Sequence, residues 1–285
     1  MNYQALYQVY YQKACKLKIN PSIIIQLINF FNPQIHDLTS LYYYYSESIK
    51  EADLELFKHL WNQYAHENIP IERIVKKGFF YHRQWYVDDG VFIFRPASEL
   101  LVFEAINLLN SSEFIGKNFV VDICCGTGVL GLSLLLEKPI DLFCVDINPL
   151  AIKNTEKNRK LYNLKAQLYN QDYQLFLQTN PYKFDLLICN PPYIMSNYHL
   201  SKNVLAHDPY NALVDVHHEH GLSFYIYIIK EYFLKYNPTC TLIFEIGFDQ
   251  KQYLINFLSE CQINNYIFKK DYDGHDRILI IPGRK

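Results

Sequence analysis

The chain has 285 residues, half of them hydrophobic, and a formal net charge of −2. That length suits one large domain or a small one beside a larger one, with ample apolar matter for a core. The charge balance lacks the basic footprint that duplex nucleic acid selects, and no run approaches the ~20 apolar residues of a membrane span.

The N-terminus shows no charged n-region followed by an apolar h-region, so no signal peptide is expected. The cysteines (Cys15, Cys124, Cys125, Cys144, Cys189, Cys240 and Cys261) show no C-x-x-C spacing and read as reduced thiols packed as small hydrophobes. These features point to a cytoplasmic protein without membrane contact.

Residues 1–77 contain no glycine, and all ten glycines follow from Gly78 onward, which marks a domain boundary. The front segment reads as helices broken at Pro21 and at Asn32-Pro33. A further helix is expected from Ser48, with Glu51 completing a capping box, and Leu54, Phe57, Leu60, Trp61 and Tyr64 share one face of it. Most of the tyrosines at 42–45 are expected in core and helix-packing positions. Residues 78–96 read as a β-hairpin linker, with strands near 79–81 and 84–87 and a turn signal at Asp88-Asp89-Gly90 before Val91-Phe92-Ile93-Phe94. A helix then runs from Ser98 to about Leu109.

From Asn118 strands and helices alternate. Strands are expected near 119–124, 141–145, 166–169, 184–189, 240–246, 263–268 and 277–281, and helices near 128–137, 149–162, 219–236 and 249–260. Such alternation specifies an α/β sheet with helices on both faces, whose ligands bind at the carboxyl ends of the strands.

The first strand runs through Asp122, Ile123, Cys124, Cys125, Gly126, Thr127 and Gly128 into a helix, a Gly-rich turn that admits close backbone approach to a ligand. With Gly131 it also matches G-x-G-x-x-G, so a dinucleotide loop competes, and a purely structural strand–turn–helix stands beside both. Asp122, set inside an apolar strand, favours a cationic sulfonium amino acid, S-adenosyl-L-methionine, over a pyrophosphate. Asp146 ends the second strand, where a carboxylate accepts ribose hydroxyls or caps the following helix. Asp172 and Tyr173 follow the third strand as candidates for the adenine amino group and ring, against an ordinary turn.

Asn190-Pro191-Pro192-Tyr193 follows the apolar run 184–189. Asn190 supplies a side-chain carbonyl, the prolines lack N–H groups and fix the chain path, and Tyr193 offers an aromatic face. This is a grip for a planar NH2 group, and Asn190 belongs to both the acceptor and the cofactor sides of it. His217-His218-Glu219-His220 lacks the H-E-x-x-H spacing and reads as a solvated lid, so no metal site is expected. Arg95 is open between a ligand contact and a hairpin-end salt bridge. Glu245 ends a strand near the cleft.

In this order the motifs resemble class I methyltransferases, and from about Pro70 onward the chain closely resembles the protein-(glutamine-N5) methyltransferases of the PrmC/HemK family. The resemblance rests on the segment from Val91 to Glu99, the Asp122–Gly128 loop, Asp146-Ile147-Asn148 and Asn190-Pro191-Pro192-Tyr193-Ile194. It continues through His207-Asp208-Pro209, Gly221-Leu222, Phe244-Glu245-Ile246-Gly247 and Asp273-Gly274-His275-Asp276-Arg277. It implies a Rossmann-like, mostly parallel sheet (residues 97–285), a helical N-terminal substrate-recognition domain (1–77) and S-adenosyl-L-methionine as cofactor.

The implied substrate is the glutamine of the GGQ motif of peptide-chain release factors, with no direct nucleic-acid partner and a monomeric protein. The implied roles make the Asn190 side chain and the Pro191 carbonyl acceptors for the amide protons, with Tyr193 against the amide plane. The family's usual Pro-Arg-Pro-Glu-Thr-Glu is here Phe94-Arg95-Pro96-Ala97-Ser98-Glu99, and its usual Glu before Pro is Asp208. Rival readings are a glutamine methyltransferase acting on a ribosomal protein, an adenine-N6 nucleic-acid methyltransferase and a catalytically silent cofactor-binding module.

Overall fold

The computed structural model describes residues 1–284, and the chain divides into two compact units, Met1–Gly78 and a second beginning at Phe79. In the first, the Asn2 side chain caps α1 (Tyr3–Leu17) by accepting the Ala5 N–H at 2.9 Å. Pro21 separates it from the apolar α2 (Ser22–Phe31), which stops before Pro33. An Asp37–Ser40 capping box opens α3 (Leu38–Tyr43).

The next helix, α4 (Glu51–Ala65), does not begin on the expected Ser48 cap. Ser48 is held extended in an antiparallel bridge to Asn2, and the Ile49 N–H bonds the Met1 carbonyl, so Lys50 becomes the first flanking residue. Phe57, Leu60 and Trp61 of α4 are buried with Leu6, Ile24 and Leu27, and Tyr10 meets Phe57 and Trp61 edge-on. Tyr44 and Tyr45 pack against this core, whereas Tyr42 and Tyr43 are 68% and 76% exposed, contrary to the expectation for the run. α5 (Ile71–Val75) closes the unit.

The hairpin pairs β1 (Lys77–Phe80) with β2 (Arg83–Tyr86). Residues 91–94 do not extend it, because the Ile93 N–H is taken by the Asp208 carboxylate at 2.9 Å. After α6 (Glu99–Leu109) come β3 (Phe119–Ile123), α7 (Val129–Glu137), β4 (Asp141–Asp146), α8 (Pro149–Leu161) and β5 (Ala166–Asn170). The chain continues through α9 (Tyr173–Thr179), β6 (Leu186–Cys189), β7 (Ile194–Met195), α10 (Lys202–His207) and β8 (Val214–Asp215). It ends with α11 (Ser223–Tyr227, prolonged by π-helical turns over Ile228–Leu234), β9 (Thr241–Glu245), α12 (Lys251–Glu260), β10 (Ile267–Lys270) and β11 (Asp276–Ile281).

Seven strands form one sheet in the order β10-β11-β9-β6-β3-β4-β5. Its centre is parallel, and β11 runs antiparallel between β9 and β10. Alternate residues of each strand feed two cores. Val121, Ile123 and Val145 meet α11 and α12, while Val120, Leu142 and Leu186 meet α6 and α7. The fully buried Asn154 and Asn158 of α8 hold the hairpin down, each donating to the Tyr86 carbonyl and accepting from the N–H of Asp88 and Tyr86 respectively. β7 pairs parallel with β8, a two-residue contact outside the main sheet that the sequence reading did not contain. Among the described residues no helix is long and apolar enough to cross a membrane.

Candidate active site

A cavity of about 550 Å³ opens where β3, β4, β5 and β6 end together. Its floor is the turn after β3. Gly128 sits in the left-handed region (φ 78°), and a Cβ there would come within 2.6 Å of Thr155, so only glycine closes the turn against α8. From α8, the Thr155 hydroxyl donates to the Gly126 carbonyl and the Asn158 side chain donates to the Thr127 carbonyl, both at 2.9 Å. Cys124, Cys125, Gly126 and Thr127 line the cavity; Asp122 and Ile123 are fully buried and do not.

Asp122 lies beneath the turn. Its Oδ2 accepts the Gly131 N–H at 2.9 Å, its Oδ1 has no hydrogen-bond partner among the described residues, and burial pushes its carboxyl up to about 7. Asp146 faces the cavity and accepts the N–H groups of Gly126 (2.9 Å) and Asn148 (2.8 Å). Burial raises its carboxyl too, although both N–H groups oppose the shift. Asp172 caps α9 by accepting from Gln174 and Leu175, so the segment read as a turn starts a helix. Asp172 and Tyr173 both border the cavity.

Sequence reasoning missed Phe224, which opens α11 and stacks on Tyr173 with ring centroids 4.7 Å apart and planes 22° from parallel. No spacing rule pointed to it, because only the tertiary fold brings the two rings together. The expected helix from 219 starts at Ser223 instead. Gly221 is left-handed (φ 67°) beneath the Tyr193 carbonyl, which a Cβ would meet at 2.1 Å. His217 borders the cavity, while the His220 ring stacks on Tyr253 at 3.9 Å.

On the opposite wall Asn190 and Pro192 line the cavity; Pro191 and Tyr193 do not. The Asn190 Nδ2 donates to the Ser98 hydroxyl at 3.3 Å. The Tyr193 hydroxyl donates to Glu245 Oε1 at 3.3 Å, and the buried Oε2 of Glu245 has no hydrogen-bond partner among the described residues. Burial raises both groups; Arg277 opposes the shift at each. Arg95, left open by the sequence, pairs with Asp208 and lies over the Phe92 ring.

Among the described residues the cavity wall carries Asp146 and Asp172 and no Lys or Arg. Carboxylates without a cation repel a pyrophosphate and suit a cationic sulfonium amino acid with ribose hydroxyls, and the Tyr173–Phe224 pair presents a flat apolar face to a purine. The residues present fit S-adenosyl-L-methionine and not a dinucleotide.

A model of the methyltransferase small domain matches residues 94–211. The chain is 34% identical over 224 residues to a release factor glutamine methyltransferase of Mycoplasma mycoides, covering 75% of this chain and 77% of the relative. It is 31% identical over 243 residues to one of Bacillus subtilis, covering 82% of each. The chain belongs to the release factor glutamine methyltransferase family. The fold of this family member is also similar to the hMettl16 catalytic domain, solved in complex with a MAT2A 3'UTR hairpin, with a TM-score of 0.52, 13% identity and 83% of each chain covered. A family enzyme of this fold uses S-adenosyl-L-methionine as methyl donor, in agreement with the cavity wall.

Proposed function

We propose that this chain methylates the side-chain amide nitrogen of the glutamine in the GGQ motif of peptide-chain release factors. The observation that carries the reading is Asn190 at the end of β6, on the cavity wall with its Nδ2 on Ser98 and its Oδ1 accepting no hydrogen bond from any described residue. An amide nitrogen is a weak nucleophile because its lone pair is delocalised, so holding it in place is the main task of the site. The Asn190 Oδ1 and the Pro191 carbonyl accept its two N–H groups. Both bonds tighten as the nitrogen gains positive charge in the transition state, which is where acceptors raise the rate. Tyr193, with its hydroxyl on Glu245, packs beside the amide plane and keeps the prolines in register.

S-adenosyl-L-methionine supplies an electrophilic methyl group when bound. On the protein side Asp146 serves the ribose, Asp172 with Tyr173 serves the adenine, and the 122–128 turn forms the floor. The helical unit Met1–Gly78 serves substrate recognition, the working form is a monomer, and its compartment is the cytoplasm, a reading that suits seven cysteines free of disulfides. Incubation with methyl-labelled donor and, separately, purified release factor, ribosomal protein and nucleic acid tests the proposal. Label on the release factor supports it; label on nucleic acid or ribosomal protein alone, or on nothing, refutes it.

A further inference from the structure

The two ends of the Asn190 amide have nearly the same shape, and half a turn about its bond exchanges the acceptor for a donor. The acceptor role proposed above works in one orientation only, with Oδ1 free for the substrate N–H. The Ser98 hydroxyl touching Asn190 does not by itself choose, since a hydroxyl accepts from Nδ2 or donates to Oδ1 equally well.

The choice is made one residue further back. In the parallel β6–β9 register Cys189 stands opposite Phe244, so Asn190 and Glu245 are the next residues of neighbouring strands. Ser98 and Glu245 are 1% and 2% exposed, which keeps water from substituting for either. Ser98, Arg277, Tyr193 and Arg95 each favour the ionised form of the Glu245 carboxylate against burial. Oε1 takes the Tyr193 hydroxyl and Oε2 has no hydrogen-bond partner among the described residues, so the carboxylate has an unfilled acceptor, and the Ser98 hydroxyl, which accepts from Asn190, still has a proton to give.

We infer that Ser98 and Glu245 are positioning residues that fix the orientation of the Asn190 amide. Glu245 accepts a hydrogen bond from the Ser98 hydroxyl, the Ser98 oxygen can then only accept from Asn190, Nδ2 turns to it, and Oδ1 is left for the substrate nitrogen. The inference rests on the acceptor role of Asn190 and adds what makes that role single-valued. It also assigns a task to the serine of the segment that departs from the family pattern: threonine and serine share the hydroxyl, so the relay survives the change.

The full chain, release factor and labelled S-adenosyl-L-methionine test it through three variants. Ser98→Thr keeps kcat within about twofold, whereas Ser98→Val, of the same shape without the hydroxyl, loses roughly tenfold or more in kcat. Glu245→Gln falls similarly, because its NH2 donates to Ser98 and frees the Ser98 proton for Oδ1. In all three the KM for the cofactor stays within about twofold of wild type, since the groups proposed to hold it, Asp146, Asp172 and Tyr173, are untouched. Equal kcat for the Thr and Val variants overturns the inference, as does a parallel loss of cofactor affinity and thermal stability in all three. With wild type active and Asn190→Ala inactive, either result removes this inference alone. A wild type that leaves release factor unlabelled overturns the acceptor reading and this inference with it.

Discussion

Arg95 and Asp208 form an ion pair across 113 positions of sequence, with the Asp208 side chain 2% exposed and that of Arg95 40% exposed. Asp208 also accepts the Ile93 N–H, so a single carboxylate ties the stretch leading to Phe94 and Ser98 to the stretch leading to Asn211 and Ala212. Both stretches line the cavity. Asp208→Ala leaves a buried N–H and a cation without their acceptor and is expected to lower unfolding free energy by about 1–3 kcal/mol. Arg95→Ala costs less, about 1 kcal/mol or below, because the Asp208 carboxylate it leaves behind keeps the Ile93 N–H and the pair is open to solvent on the arginine side. Urea midpoints of the two variants check the order, and an equal or larger loss in Arg95→Ala contradicts it.

Asn190→Ala removes the acceptor and trims one side chain of the cavity wall, while Asp146, Asp172 and Tyr173 stay in place. Turnover is expected to fall at least about 100-fold while cofactor affinity changes by no more than about threefold. Single-turnover methylation with a parallel calorimetric titration separates the two quantities, and a variant retaining near-normal turnover would falsify the acceptor assignment.

Gly128→Ala places a Cβ at a left-handed position within 2.6 Å of the Thr155 side chain. Backbone strain and the shift of Thr155, which also holds the Gly126 carbonyl, are expected to destabilise the protein by about 1–3 kcal/mol and to weaken cofactor binding about tenfold or more. Thermal melts with and without S-adenosylhomocysteine report both effects. A variant with unchanged melting and unchanged ligand shift contradicts the turn geometry.

The buried Asp122 carboxyl is raised from 3.8 to about 7 in the folded protein. Between those values the folded state binds more proton than the unfolded one, so this group's contribution to stability is full below 3.8 and is lost as pH rises to about 7. Asp122→Asn cannot ionise. Its stability relative to wild type is expected to rise with pH across that window, by at most about 1.4 kcal/mol per unit, and to stay flat above it. Asp146 and Glu245, also raised, are common to both proteins and cancel. Parallel pH–stability curves for the two proteins would rule the assignment out.

What was legible in the sequence is what local pattern encodes. The alternating apolar strands, the Gly126–Gly128 turn and the acid ending β4 all follow from neighbouring residues, and the structure brings Gly126, Asp146 and Asn190 to one cavity. What failed depended on distant chain. Ser48 lost its capping role to a bridge with Asn2, and residues 91–94 left the hairpin because Asp208 claims the Ile93 N–H. The β7–β8 pair is too short to show a period, and α11 starts late because Gly221 must pass beneath the Tyr193 carbonyl. Phe224 and Ser98 acquire their places only from Tyr173 and Asn190 across the fold. Local chemistry announced the reaction; partners remote in sequence hold its atoms in place.

The central claim is that the acceptor is a glutamine side chain held by Asn190. The most direct measurement is tandem mass spectrometry of release factor digested after incubation with this protein and S-adenosyl-L-methionine, alongside an Asn190→Ala control. The account predicts a single added methyl on the side-chain nitrogen of the GGQ glutamine, absent in the control. A methyl group on any other residue, or the same product from the Asn190→Ala protein, contradicts it.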